Sequence, residues 1–249
     1  VLLVGGGGEG GLPASPLPRK PAPARPPGRG RHYFQENAAD WARLRSLHVD
    51  EVEVEAAMRA MVGPAPVSAL IDLGTGTGRM LELFAGQAGQ LNGIDQSPAM
   101  LAIARAHLDQ AGLARAQLRQ SDIYALPFAN GAADLVTIHQ VLHYLDDPHK
   151  ALVEAARILR PGGRLLLADF APHELEELRS DHAHRRLGIS AEQMSRWLAR
   201  AGLKLEAHEV LPPPWLKTSQ GLTVSLWLAR LPAAAEPVAA RRERKMVRP

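Results

Sequence analysis

The chain of 249 residues contains no cysteine. This absence excludes disulfide bonds, metal sites built from thiolates and cysteine nucleophiles, and it is consistent with a cytoplasmic protein. Long apolar runs are also missing: no stretch approaches about 18 consecutive apolar residues, so we expect no membrane-spanning helix. The opening segment 1–4 is too short for the apolar core of a signal peptide, and the missing initiator methionine suggests a fragment or a processed start.

Basic charge is concentrated at the two ends of the chain. Residues 1–31 carry a net charge of +4 and residues 232–249 a net charge of +3, within a formal total of +3. Residues 32–231 are therefore mildly acidic, with a net charge of −4. Because the ends have almost no periodic apolar pattern, we predict one folded domain at 32–231 between two disordered tails. Nucleic acid is not the expected partner, since the domain itself has no excess of basic charge.

Between the tails, apolar runs typical of strands alternate with segments of helical periodicity. Strands are predicted at 69–73, 91–95, 116–120, 134–138, 164–168, 203–210 and 222–229. Helices are predicted at 33–47, 52–61, 77–85, 98–110, 148–159, 173–182 and 190–201. Helices between successive strands indicate a parallel sheet that is covered on both faces. Only a loop separates the last two strands, so we expect these two to pair antiparallel.

A glycine-rich turn follows the first predicted strand, with glycine at Gly74, Gly76 and Gly78. These glycines permit a tight turn and a close approach of the backbone to a ligand. The dinucleotide pattern G-x-G-x-x-G would require glycine at the position of Arg79. The observed spacing therefore favours a nucleotide-type cofactor that has no pyrophosphate, and it argues against a nicotinamide-dependent oxidoreductase.

Carboxylates stand at the expected carboxyl ends of the first three strands. Asp72 can face a positively charged group, and Asp95 can accept two hydrogen bonds from the vicinal hydroxyls of a ribose. Asp122 can accept a bond from an exocyclic amine, and Ile123 offers an aliphatic surface to a purine. A ligand with an amino-acid end, a ribose and an adenine fits all three positions. S-adenosylmethionine is such a ligand.

The chain also resembles a known family, the class I S-adenosylmethionine-dependent methyltransferases of type 11, which are related to ubiquinone and menaquinone C-methyltransferases. The segments that carry the resemblance are 72–81, 93–97, 122–128 and 159–164. It implies an α/β, Rossmann-like fold with a seven-stranded sheet of order 3-2-1-4-5-7-6, in which strand 7 is antiparallel. It also implies methyl transfer to a small-molecule acceptor. The cofactor-binding residues that it implies are Asp72, Gly74, Thr75, Gly76, Gly78, Asp95, Gln96, Met100, Asp122, Ile123 and His139.

A closer similarity involves the segments 139–145, 169–173 and 182–188. They look like the methyltransferase half of bacterial proteins that are fused to an arsenic-repressor-type winged helix. A Gly/Pro stretch stands where the winged helix would precede, so a DNA-binding role has no support in the sequence. Without cysteines to hold arsenic, arsenic methylation is not expected either. A cofactor-sensing or regulatory module without catalysis remains the alternative function.

Six of the ten histidines lie between positions 139 and 184, at or beyond the expected ends of strands four and five. Ligands bind at those ends in sheets of this type. One histidine could be a general base for the methyl acceptor, two or three could bind a metal, or all could be ordinary polar residues. We predict His143 or His173 as the base and assign no metal site. His139 and His143 would share a helix face if a helix began there, and Arg185-Arg186 either clamps an acidic substrate or ends a helix in solvent.

Overall fold

The computed structural model describes residues 51–182, 184–212 and 222–233 of the chain. The predicted tail at 1–31, the predicted helix at 33–47 and most of the predicted tail at 232–249 lie outside the described residues. Within the described part, no helix is both long enough and apolar enough to cross a bilayer.

Seven strands form one sheet, and helices flank it. The strands are β1 (Val67–Leu73), β2 (Ala88–Asp95), β3 (Gln117–Gln120), β4 (Ala133–His139), β5 (Leu159–Phe170), β6 (Lys204–Leu211) and β7 (Val224–Arg230). The helices are α1 (Glu51–Val62), α2 (Arg79–Leu83), α3 (Pro98–Gln110), α4 (Pro148–Ile158), α5 (Glu177–Asp181) and α6 (Ala191–Arg200), with a 3-10 turn at Leu142–Tyr144.

The strand order is β3-β2-β1-β4-β5-β7-β6, which confirms the predicted topology. The first five strands pair with one another in parallel. Strand β7 runs antiparallel to both β5 and β6, as expected for two strands joined by a loop. The order of strands reverses at β1, so the carboxyl ends of β1 and β4 border the crevice in which ligands of such sheets bind.

Alternation along the strands divides the core into two apolar clusters, one on each face of the sheet. In β5, for example, Leu166 belongs to the cluster that also contains Val54 of α1. The adjacent Leu165 belongs to the other cluster, with Leu152 of α4 and Met194 of α6. Both sheet faces are therefore buried, and the carboxyl edge of the parallel strands is left to build a site.

Several element boundaries differ from those predicted: strand β2 begins at Ala88 rather than at 91, for example, and helix α5 begins at Glu177 rather than at 173. Strand β5 begins at Leu159 and includes Pro161-Gly162-Gly163, a segment that the sequence favours as a turn. The β4–β5 register shifts between Ala133 and Leu135, and such an irregularity tolerates a proline that cannot donate to the ladder. Helix α2 starts at Arg79 rather than Thr77, because the preceding residues belong to the glycine turn.

Candidate functional site: the carboxyl edge of β1, β2 and β4

The glycine turn after β1 is fixed to the end of β2 by its backbone. The N–H groups of Gly74 and Thr75 both donate to the carbonyl of Ile94, at 2.8 Å each. Gly74 has a φ of +74°, and a Cβ there would lie only 2.5 Å from Cγ2 of Val141, which follows β4. Glycine is therefore required at this position both by the backbone conformation and by the close approach of the β4 loop.

Asp95 ends β2 beside this turn. Its Oδ2 accepts the N–H of Gly76 at 2.9 Å, and its Oδ1 accepts the N–H of Ser97 at 2.8 Å. Burial raises the pKa of Asp95, and the bonds from Ser97 and Gly76 oppose that rise. Each carboxylate oxygen can accept a second hydrogen bond, and the side chain is only half-buried. Asp95 is thus positioned by the turn and can still bind a pair of hydroxyl groups.

Asp72 lies inside the same edge, at the β1–β4 junction. It is 1% exposed, and the hydroxyl of Thr137 donates to its Oδ1 at 2.6 Å. These two residues are register partners across β1 and β4. Thr75, in the turn above, is also buried, and its Oγ1 has no hydrogen-bond partner within the described part of the chain. The edge therefore holds a buried carboxyl group at depth and an unsatisfied hydroxyl near the turn.

The predicted adenine side lies beyond β3. Asp122 is exposed, and its Oδ1 accepts the N–H of Tyr124 at 2.9 Å. Ile123 is buried, and its side chain belongs to the core cluster that packs under α4. Gln96 is half-buried and accepts a bond from Gln120 at its carbonyl, whereas Met100 is buried in the first turn of α3. Asp122 is thus exposed, whereas Ile123, the predicted aliphatic surface for the purine, is buried, and so is Met100.

His143 and Asp169 form a buried pair next to this edge. Their exposures are 1% and 0%, and His143 Nδ1 lies 2.7 Å from Asp169 Oδ1. The carboxylate can only accept a hydrogen bond, so the pairing favours the proton on Nδ1 and leaves Nε2 as an acceptor. Nε2 is buried and has no hydrogen-bond partner among the described residues. The N–H groups of His143 and Phe170 also donate to Asp169, which fixes the carboxylate.

Aromatic rings enclose this pair. The ring centroids of Tyr144, His184 and Phe170 lie 4.0, 4.2 and 4.9 Å from that of His143. His173 stands outside this group, 6.2 Å from Phe170, and its Nδ1 accepts the N–H of Leu175. Of the two predicted bases, His143 is held by the carboxylate of Asp169 inside this ring cluster.

His139 and His143 do not share a helix face. His139 is the last residue of β4, and the 3-10 turn begins only at Leu142. Gln140 between them has a φ of +54°, which turns the chain sharply and breaks the helical spacing. Within the described residues, no group of three or more His, Asp or Glu side chains could hold a metal ion.

The two arginines of the 182–188 segment are engaged in structural contacts. Arg186 donates to the carbonyl of Leu142 at 2.5 Å, lies over the ring of Trp197, and has a pKa lowered by burial. Arg185 pairs with Asp146 at 2.6 Å. Arg186 is therefore not the solvated helix end that the sequence suggested, and its guanidinium faces a backbone carbonyl.

Two site-forming residues were not assigned from the sequence. Asp169 interrupts the apolar run of β5, and a lone carboxylate in a buried strand was the available signal. Glu55 of α1 receives both Nε and Nη2 of Arg79 at 2.6 Å each, so α1 is tied to the end of the glycine turn. Arg79, which stands where a dinucleotide-binding turn has its third glycine, thus pairs with Glu55.

The central segment of the chain is similar to known methyltransferases. Residues 71–167 match a methyltransferase domain. The malonyl-[acyl-carrier protein] O-methyltransferase of Hahella chejuensis is 34% identical over 150 residues, which are 57% of this chain and 53% of that protein. The demethylmenaquinone methyltransferase of Thermus thermophilus is 41% identical over 105 residues, or 41% of this chain and 47% of that protein. The chain spans about half the length of these relatives.

A solved structure supports the fold over a longer stretch. It is a chain from the complex between the Haloferax volcanii Trm112 methyltransferase activator and a methyltransferase. The TM-score is 0.68 at 23% identity, and the match covers 84% of this chain and 100% of the other. The fold is therefore the Rossmann-like fold of methyltransferases. The segment 71–167, which matches the methyltransferase domain, includes the glycine turn, Asp95 and the β4 loop.

Proposed function

We propose that this chain is a methyltransferase that binds S-adenosylmethionine and acts on a small-molecule acceptor. The observation that carries the proposal is the position of the Asp95 carboxylate beside the glycine turn. This half-buried carboxylate is oriented by the glycine turn through Gly76, and both oxygens retain acceptor capacity. Vicinal hydroxyls of a ribose match that geometry, and the adjoining turn allows backbone approach without a Cβ.

The residues along the carboxyl edge fit the other parts of the cofactor. Asp122, exposed beyond β3, is a candidate acceptor for the adenine amine. On the opposite side of Asp95, the buried carboxyl group of Asp72 is the candidate partner for the ammonium group. When bound, the cofactor supplies a methyl group that its sulfonium has already activated. The protein's main task is then to position the acceptor in line with that methyl group.

His143 is the proposed general base for an acceptor that must lose a proton. Asp169 orients the ring through Nδ1 and would stabilise the imidazolium that forms when Nε2 takes up a proton. Because Nε2 is enclosed by rings, we infer that His184 shifts when the acceptor enters. His173, whose ring centroid lies 6.2 Å from that of Phe170, is the second candidate.

The acceptor itself stays open. The two relatives are named for different acceptors, one a malonyl group on a carrier protein and the other demethylmenaquinone. The resemblance to the methyltransferase half of winged-helix fusion proteins stays a prediction from the sequence. No described residue favours the alternative function, a regulatory module without catalysis.

The role of His143 is tested by substitution. Once an acceptor is found, His143→Ala should lower turnover by about 10²- to 10⁴-fold while S-adenosylhomocysteine affinity is retained. Unchanged turnover in both His143→Ala and His173→Ala would remove the base from the mechanism.

Cofactor choice is tested by thermal unfolding of the wild-type chain with S-adenosylhomocysteine or NAD. A ligand present at 100 times its Kd stabilises the folded state by about 2.7 kcal/mol. We expect S-adenosylhomocysteine to raise Tm and NAD to leave it unchanged. A rise with NAD alone would favour an oxidoreductase, and no rise with either ligand would contradict the proposal.

A further inference from the structure

Gln140 adopts a backbone conformation that is unfavourable for a residue with a Cβ. Its φ of +54° makes it the one non-glycine residue with positive φ in the described ranges. Its N–H donates to the carbonyl of Ala168 at 2.7 Å, so the strained turn is anchored to β5. The turn directs Val141 over Gly74. Strain that the surroundings enforce in this way is found at functional sites.

The side chain of Gln140 is unsatisfied as well. It is 6% exposed, and its Nε2 is buried without a hydrogen-bond partner among the described residues. Buried amide groups almost always have a partner, because an unpaired one loses its hydrogen bonds to water. Strain and an unpaired donor therefore coincide in one residue at the end of β4.

The position of Gln140 in the sheet indicates which part of a ligand it faces. Asp95 ends β2 and Asp122 follows β3, whereas Gln140 follows β4 on the other side of β1. If the ribose binds at Asp95 and the adenine lies toward β3, the amino-acid end of the ligand extends toward β4. That end offers one acceptor group, its carboxylate, to an amide that can donate.

We propose that the Nε2 of Gln140 donates a hydrogen bond to the amino-acid carboxylate of the bound cofactor. The inference rests on the proposed function and assigns Gln140 a binding role within it. The ammonium group of the same end has no lone pair, so it cannot accept this bond. The strained turn then holds the Nε2 donor where the carboxylate of the cofactor can accept its hydrogen bond.

The test compares two ligands by isothermal titration calorimetry. S-adenosylhomocysteine has the amino-acid end, and methylthioadenosine lacks it. Gln140→Met removes the donor at similar volume, Gln140→Gly also relieves the positive φ, and Gln110→Met changes an exposed glutamine on α3 as the matched control. We expect both Gln140 variants to bind S-adenosylhomocysteine about tenfold or more weakly, the loss expected for a hydrogen bond to a charged group. Methylthioadenosine affinity should match the wild type in all three variants.

Stability supplies a second readout, independent of any ligand. Without ligand, Gln140→Met and Gln140→Gly should unfold at the wild-type temperature or above it, because each removes an unsatisfied or strained feature. Wild-type affinity for S-adenosylhomocysteine in Gln140→Met would overturn the inference while leaving the proposed function intact. An equal loss for both ligands would overturn the assignment to the carboxylate. A folded wild-type chain that binds neither ligand would overturn the proposed function together with this inference.

Discussion

The contact between the glycine turn and the β4 loop predicts a specific loss of stability. In Gly74→Ala, the new Cβ would lie 2.5 Å from Cγ2 and 3.0 Å from Cγ1 of Val141. The left-handed backbone at φ +74° costs an L-residue about 1–2 kcal/mol, and overpacking adds about 1–3 kcal/mol. We therefore expect the free energy of unfolding to fall by about 2–5 kcal/mol.

Gly112 provides a matched control for the backbone term. It has a φ of +72°, and a Cβ there would meet nothing within 4 Å. Gly112→Ala should therefore cost only the conformational part, about 1–2 kcal/mol. The difference between the two variants isolates the contact with Val141.

A double-mutant cycle completes the test. Val141→Ala removes both Cγ atoms, so Gly74→Ala should be less destabilising in that background by about 1–3 kcal/mol. Urea unfolding followed by circular dichroism gives the four free energies. Equal losses in Gly74→Ala and Gly112→Ala, or strict additivity of the Gly74 and Val141 changes, would refute the reasoning.

The remaining predictions concern the charged groups of the site. Arg79→Gln removes the pair with Glu55, and because the Arg79 side chain is 35% exposed, we expect a loss of at most about 1 kcal/mol in urea unfolding; a loss several times larger would contradict this. Asp169→Ala leaves the buried N–H groups of His143 and Phe170 without an acceptor, so the free energy of unfolding should fall by about 3–5 kcal/mol. The control Asp122→Ala changes an exposed residue and should lower it by less than about 0.5 kcal/mol. Similar losses in the two variants would show that the buried pair does not stabilise the fold. Since burial raises the pKa of Asp95, its protonation should weaken S-adenosylhomocysteine binding as the pH falls through that raised pKa. The pH dependence of stability, measured without ligand, has the opposite sign to that of binding. The contribution of Asp95 to stability is present below the ordinary aspartate pKa and is lost as the pH rises through the raised pKa of the folded state. Affinity that stays constant as the carboxyl group titrates would contradict the role of Asp95.

The fold was predictable because its signals are local. Alternating strands and helices indicate a parallel sheet, and the loop between β6 and β7 accounts for their antiparallel pairing. The places of the glycine turn and of Asp95 at strand ends were predictable for the same reason, since each is recognised within a few residues of a strand end. The full strand order came from the resemblance to a family rather than from periodicity, which does not specify how strands are ordered.

The pairing of His143 with Asp169 could not be read from the sequence. These residues are 26 positions apart, and they meet because His139 and Ala168 are register partners across β4 and β5. That register depends on a shift near Ala133, in the same region where Pro161-Gly162-Gly163 continues the strand instead of ending it. The positive φ of Gln140 was not predictable from the sequence either, because glutamine rarely adopts this conformation and tertiary contacts must hold the chain in it.

The central claim is that the carboxyl edge of β1, β2 and β4 binds S-adenosylmethionine through Asp95. Isothermal titration of S-adenosylhomocysteine into the wild type, Asp95→Ala and Asp109→Ala tests it most directly, since Asp109 is an exposed aspartate on α3. We expect the wild type and Asp109→Ala to bind equally and Asp95→Ala to bind at least about tenfold more weakly. No binding by the wild type, or equal binding by Asp95→Ala, would contradict the claim.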